Sequence, residues 1–414
     1  MFENQLKALD KFKELRVAAL FMEMGTGKTR TALELARQAI DDFDEVLWLA
    51  PKSTLNNLHR ELDKYDPLPR PIRTMGYETL ASSDRTYLQV LDRLDNQRTR
   101  LFLVCDESLY LKNGETKRWR RVNNIRQKYA NYVVLLNGTP VSRDEMDIYW
   151  QMAIMSPQII GLSESAYRNT MFTKFVNKAT GQVWYKSCSK NIAWLKSRIA
   201  PYVYECDLTL PINVIEETRP IRVTEWTREL YRRNKSELLK SIADFDDALI
   251  MEYLGRMKMI AATDNAKNDE IAEMLTEMNK RCLVFCEYRS EQDRIAKMVK
   301  NGYDVINGDT SQSDRNSIIA RWEQGSYPLL ITYGCGAYGL NLQATDTIVM
   351  ASLPWDYATY SQAIHRAYRA GQTSDVKVIK YKPRLGISNL VEECLWRKTT
   401  LANLIRHTDW ESQL

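Results

Sequence analysis

Two short runs in this chain have the residue types and spacing for chemistry. In LFMEMGTGKTRTALELA, Gly25, Gly27, Lys28 and Thr29 join an apolar run to a helical pattern. Glycines let backbone N–H groups approach anionic oxygens closely, and the positive end of the following helix adds to the attraction. At this spacing Lys28 would contact the β- and γ-phosphates of a nucleoside triphosphate, and Thr29 would ligate Mg²⁺. The strict phosphate-loop pattern asks for Gly or Ala where Met22 stands, so a tight strand–helix turn with an exposed lysine is the competing reading. In the second run, Asp106 and Glu107 end the apolar stretch LFLVC. That is the carboxyl end of an expected parallel strand, where α/β sheets bind ligands. Asp106 could hold Mg²⁺ through water, and Glu107 could polarise an attacking water as general base.

These side chains need a scaffold. Short apolar runs (VAALFM, EVLWLAP, LFLVCDE, YVVLLNGTP, then CLVFCEY, DVINGD, LLITYG, TIVMASLP and VKVIKY) alternate with amphipathic stretches such as TRTALELARQAI and EQDRIAKMVKN. Apolar runs of this length read as buried parallel strands, and the alternation predicts two doubly wound α/β blocks. Between the blocks, residues 143–210 are rich in helical character and aromatics and read as a mostly helical insertion in the first block. NVIEETRPIRV reads as that block's last strand, so the domains are expected at 1–222 and 223–414.

Composition narrows the class. The 414 residues are 44% apolar and 27% charged, with no run approaching the roughly 20 apolar residues of a membrane helix. The N-terminal MFENQLKALDKF has no apolar core of a secretory signal. Seven cysteines without a Cys-x-x-Cys pair, and three histidines, argue against a zinc site or a disulfide framework and for a reducing compartment. The first 222 residues carry 33 Lys and Arg against 27 Asp and Glu; the rest carry 25 against 26. A basic first half suits a polyanionic partner.

Taken in order, the motifs resemble those of the Swi/Snf-type translocases of helicase superfamily two. MEMGTGKT is similar to their phosphate loop, VLWLAPKSTLNNLHREL to their next motif, CDESLYLKN to their acidic signature and LLNGTPVSRDEMDIYWQM to their L-x-GTP motif. VFCEYRSEQDRIAKMV, INGDTSQSDRNSIIARW and TYGCGAYGLNLQATDTIVMASLPWDYATYSQAIHRAYRAGQTSDVKVIKY resemble the motifs of the second lobe. The match runs from Gln5 to about Lys398, and the DES…LKN…TKR arrangement looks closest to the DNA-annealing, fork-remodelling branch. Leu109 stands where that family usually has His, and Met22 where it has an acidic residue.

The resemblance implies two RecA-like lobes with a helical insertion in the first, ATP and Mg²⁺ as cofactors, and a motor on double-stranded DNA. It implies that Gln5, Met24, Gly25, Thr26, Gly27, Lys28, Thr29, Arg30, Asp106 and Gln362 bind nucleotide, that Glu107 and Lys28 act in hydrolysis, and that Arg366 and Arg369 meet the phosphate charge. The two arginines are three apart, so a helix would present both on one face. For Gln5 a solvated helical glutamine is the competing reading. Expected DNA contacts are Lys52, Ser53, Thr54, Tyr77, Thr79, Thr332 and Trp355, and expected coupling residues Thr139 and Gly339. The basic run TKRWRRVNNIRQK either tracks DNA or is a solvated helix face. A soluble intracellular monomer is expected, with the cytoplasm of a bacterium or virus-infected cell favoured and a separately encoded targeting protein allowed. A strand-separating helicase and a nucleotide-dependent DNA-binding scaffold with little turnover stay open.

Overall fold

Two all-parallel, six-stranded sheets carry the chain, one in each of two units that divide between Thr209 and Leu210. The computed structural model describes residues 1–138, 140–141, 145–176, 183–243, 247–336, 342–369 and 371–396. In the first unit the strands are β1 (Val17–Met22), β2 (Glu45–Ala50), β3 (Ile72–Gly76), β4 (Leu101–Asp106), β5 (Ala130–Asn137), a separate antiparallel hairpin of β6 (Phe172–Val176) and β7 (Val183–Ser187), and β8 (Val203–Cys206). The sheet order is β3-β2-β4-β5-β1-β8. The second unit contains β9 (Val214–Ile221), β10 (Cys282–Cys286), β11 (Asp304–Ile306), β12 (Pro328–Thr332), β13 (Thr347–Met350) and β14 (Val376–Pro383), in the order β11-β12-β10-β13-β14-β9. These are the two RecA-like lobes expected.

Why these runs form strands is visible in their packing. Successive side chains of a strand point to opposite faces. In β2, Leu47 and Leu49 enter one apolar cluster, and Val46, Trp48 and Ala50 the other. Strands β1 and β4 divide in the same way, and in β10 Leu283 and Phe285 pack on one face while Cys282, Val284 and Cys286 pack on the other. Helices cover both faces, so an alternating pattern would leave polar groups buried and a continuous apolar run is required. Each fully buried Leu, Val or Phe contributes about 1.5–3 kcal/mol.

Three expectations change. Val214–Ile221 is not the last strand of the first lobe: it pairs with β14 over its full length, so the boundary moves from residue 222 to 209. The last strand of the first sheet is instead β8, which pairs with β1. The segment 143–210 has the expected helices, among them Ser189–Ile199, but it also contains strands that the sequence did not show: the antiparallel pair β6–β7 and β8. Among the described residues no helix is long and apolar enough to cross a membrane.

Candidate nucleotide-binding site

The phosphate-loop candidate leaves β1 at Met22, turns through Glu23–Gly27 and enters the helix Lys28–Gln38. Gly25 and Gly27 both have φ near +86°, in the left-handed region where a side chain is strained. The loop is tied from several sides. Thr26 Oγ1 donates to the Glu23 carbonyl at 2.7 Å, and a Glu23 carboxylate oxygen accepts from the Leu208 N–H at 2.8 Å. Gln5 comes from the helix Glu3–Phe12 and is 1% exposed, which excludes the solvated reading. Its Nε2 donates to the carbonyls of Thr26 and Gly27 at 3.4 and 3.3 Å, and its Oε1 accepts from the Phe2 N–H at 2.8 Å. A Cβ on Gly27 would lie 1.9 Å from that amide nitrogen. Asn4 Nδ2 also donates to Thr26.

Lys28 Nζ donates to the carbonyls of Met22 and Glu23 at 2.8 and 3.1 Å, folded back over its own loop. Gly138, at the end of β5, faces the same space: a Cβ there would stand 3.9 Å from Lys28 Nζ and from Met24 Cγ. Thr29 is buried at the helix start, and the Arg30 guanidinium lies 5.6 Å from the Tyr65 ring centroid.

Strand β4 ends at Asp106, as expected. Burial pushes the Asp106 carboxyl up to about 7; the Glu107 charge pushes the same way, and Lys28 opposes them. The loop lysine and the acidic end of β4 therefore share one electrostatic environment. Glu107 has φ 49° and ψ 54°, a left-handed conformation that costs a non-glycine residue about 1–3 kcal/mol and marks functional sites. Its half-buried carboxylate sits at the carboxyl end of the sheet, where the turn Ser108–Leu111 begins.

Tyr77 is not available to DNA. It is fully buried, stacks on Tyr110 at 5.6 Å, and its hydroxyl donates to the Asp106 carbonyl at 2.9 Å. The ring sequence alone suggested for a nucleic-acid strand instead supports the acidic strand end. Lys52 and Ser53 are exposed after β2, and a Cβ on Gly76 would meet Lys52 Cβ at 3.2 Å and Thr79 Oγ1 at 3.4 Å. Lys52 and Thr79 are thus brought together, beside half-buried Thr54. The basic run after the acidic motif is neither reading alone. Arg121 is buried and donates to the carbonyls of Leu80 and Ser83, Arg126 donates to the Ala153 carbonyl, and Trp119 Nε1 donates to the Trp150 carbonyl.

In the second unit the helix Tyr357–Ile364 holds Gln362 but stops before the arginines. Its end tightens through i to i+3 bonds from Arg366 to Ala363 and from Ala367 to Ile364. Arg366 is 2% exposed and Arg369 is half-buried, so the two do not share an α-helical face as expected. Thr332 ends β12, half-buried. Trp355 packs against two apolar clusters, with Lys258 Nζ 4.9 Å from its ring. Thr139 and Gly339 lie outside the described residues.

Residues 266–371 match the helicase conserved C-terminal domain. A Bacillus subtilis protein named putative ATP-dependent helicase/translocase YwqA is 24% identical, over 96% of this chain and 47% of its own length. The Xenopus tropicalis SWI/SNF-related matrix-associated actin-dependent regulator of chromatin subfamily A-like protein 1 is 24% identical, over 86% of this chain and 39% of its own. The chain is similar to proteins named as SWI/SNF-related and as ATP-dependent helicases. It spans less than half the length of these curated relatives. A solved chain described as the Sulfolobus solfataricus SWI2/SNF2 ATPase core in complex with dsDNA is 18% identical, with 99% of this chain and 95% of that one covered and a TM-score of 0.42. Two of the bacterial relatives are named as ATP-dependent helicases.

Within the Swi/Snf-type frame, the structure gathers Gln5, the loop 24–30, Asp106 and Glu107 in the first unit. Sequence reading missed the support given by Asn4 and Tyr77. It also missed Ser108 and Gln151, whose hydrogen bonds join the acidic turn to the end of β5. Neither had a motif to announce it.

Proposed function

We propose that this chain is an ATP hydrolase that uses the hydrolysis cycle to move along double-stranded DNA. The observation that carries the reading is the pairing of a left-handed glycine loop and Lys28 at the end of β1 with Asp106 and Glu107 at the end of β4 of the same parallel sheet. A loop of this shape turns backbone N–H groups toward an anion, and the helix that starts at Lys28 adds its positive end. Lys28 Nζ, which donates to the Met22 and Glu23 carbonyls, would exchange these bonds for phosphate oxygens when nucleotide binds. Glu107 would take a proton from the attacking water, and its strained backbone fixes its direction. The donor set fits Mg²⁺: Thr29 and the enclosed Asp106 carboxylate would hold it, and the ion would neutralise phosphate charge. The resemblance assigns Arg366 and Arg369 to the same reaction, as cations that meet the developing charge.

For the track, support comes from the resemblance, the basic first half of the chain, and the juxtaposed Lys52 and Thr79 at adjacent strand ends. Contacts of this kind go to backbone phosphates and carry no sequence information, so binding is sequence-independent and salt-sensitive.

Lys28→Ala is expected to lower turnover by several orders of magnitude, about 4 kcal/mol or more of transition-state stabilisation, in a steady-state assay. Near-normal turnover in that variant overturns the loop assignment. Arg369→Ala is expected to lower kcat more than ATP affinity. An effect on KM alone would make Arg369 a ground-state binding residue.

A further inference from the structure

One buried polar chain next to Glu107 has no part in the function so far described. Ser108 and Gln151 are completely buried and Asn137 is 2% exposed. Asn137 Nδ2 donates to Ser108 Oγ at 3.4 Å, Ser108 Oγ donates to Gln151 Oε1 at 2.7 Å, and Gln151 Nε2 donates to the carbonyls of Pro140 and Asp147 at 2.7 and 2.8 Å. The donors run in one direction through the chain. The serine hydroxyl is used both as donor and as acceptor, and every polar position of the glutamine side-chain amide is engaged. A buried network this complete holds one geometry, because any displacement leaves an unsatisfied polar group at about 1–3 kcal/mol.

Its three ends have different addresses. Ser108 is the residue after Glu107, the first of the turn that Glu107 enters in a left-handed conformation. Asn137 and Pro140 bracket Gly138, which faces Lys28 Nζ. Gln151 stands in the helix Met146–Met155. Leu109, the next residue of the turn, has no hydrogen-bonding side chain and cannot replace these contacts.

We propose that Gln151, acting through Ser108, is a positioning residue for Glu107: it fixes the strained turn that aims the carboxylate and keeps it in register with Asn137, the neighbour of the Gly138 that faces Lys28. The inference rests on the assignment of Glu107 as general base. A loosened turn would keep the phosphate loop intact, so it would cost turnover and spare nucleotide binding. Displacements of about 1 Å at a reacting group can cost up to roughly 10²-fold.

The test uses the full chain with Ser108→Ala, Gln151→Met, the two combined, and Glu107→Gln. It reads kcat and KM for ATP with saturating duplex DNA, and ATP affinity by titration of a fluorescent ATP analogue. The expected result is a fall in kcat of roughly 10-fold or more in each single variant, with affinity held within about 2-fold. The double variant should be no worse than the worse single one, because both break the same chain. If Gln151→Met does not fold, Ser108→Ala, which removes one oxygen, decides alone. Wild-type kcat in the singles, or a loss of affinity equal to the loss of kcat, overturns the positioning role. Glu107→Gln separates the two levels: normal turnover there fells the base assignment itself, whereas an inactive Glu107→Gln beside normal Ser108→Ala and Gln151→Met fells only the positioning inference.

Discussion

At the scale of single residues, burial and charge set what Asp106 can do. A carboxyl held up to about 7 by burial, with the Glu107 charge adding to it, is largely protonated below neutral pH. Its ordinary value is near 3.8, so the folded chain binds this proton more tightly than the unfolded chain. The stability this gives is fully present below about 4 and is lost as pH rises through about 7. Without nucleotide or divalent cation, the first unit should therefore melt lower at pH 8 than at pH 5.5 through this group. Asp106→Asn removes the buried charge. It should raise Tm at pH 8 by at least roughly 2–4 °C, about 1 kcal/mol for a unit of this size, while abolishing ATP turnover. Unchanged melting at pH 8 would contradict the enclosure of Asp106. Residue positions were legible in the sequence where a motif marks them: Lys28 and Thr29 open the helix after β1, and Asp106 and Glu107 stand at the end of β4. They were not legible where burial decides. Tyr77 sits in a segment read as a DNA grip, yet its ring fills the core and its hydroxyl is tied to the backbone of Asp106.

At the scale of elements, the helix Glu3–Phe12 braces the loop against which Gln5 packs. Gly27 is where that bracing is tightest, with φ +86° and no room for a Cβ beside Gln5. Gly27→Ala must displace the glutamine amide from both carbonyls it binds and accept a left-handed alanine. A cost of about 1–3 kcal/mol is expected in chemical denaturation, with weakened ATP binding by titration. Wild-type stability and affinity would show that the loop is not held in this way. The strands were legible because helices bury both faces of a parallel sheet and leave continuous apolar runs. β9 was misassigned for the same physical reason in reverse. It lies at the sheet edge with alternate exposed residues, and its strand partner, β14, begins 162 residues further along the chain. The helix end at Ile364 was not legible either: the periodicity of QAIHRAYRAGQ continues, but the backbone tightens after Ile364 and separates Arg366 from Arg369 in burial.

At the scale of the whole molecule, each unit has its own parallel sheet with apolar clusters on both faces. The residues proposed to bind and cleave ATP that this structure gathers lie in the first unit, and the helicase conserved C-terminal match lies in the second. A motor needs both to act on one polymer, and that is the central claim. The most direct measurement is steady-state ATP hydrolysis without nucleic acid, with duplex DNA, with single-stranded DNA and with RNA, each at two salt concentrations. The account predicts strong stimulation by duplex DNA of any sequence, falling steeply between the lower and the higher salt. Stimulation by single strands or RNA alone, or turnover that ignores nucleic acid altogether, would contradict it.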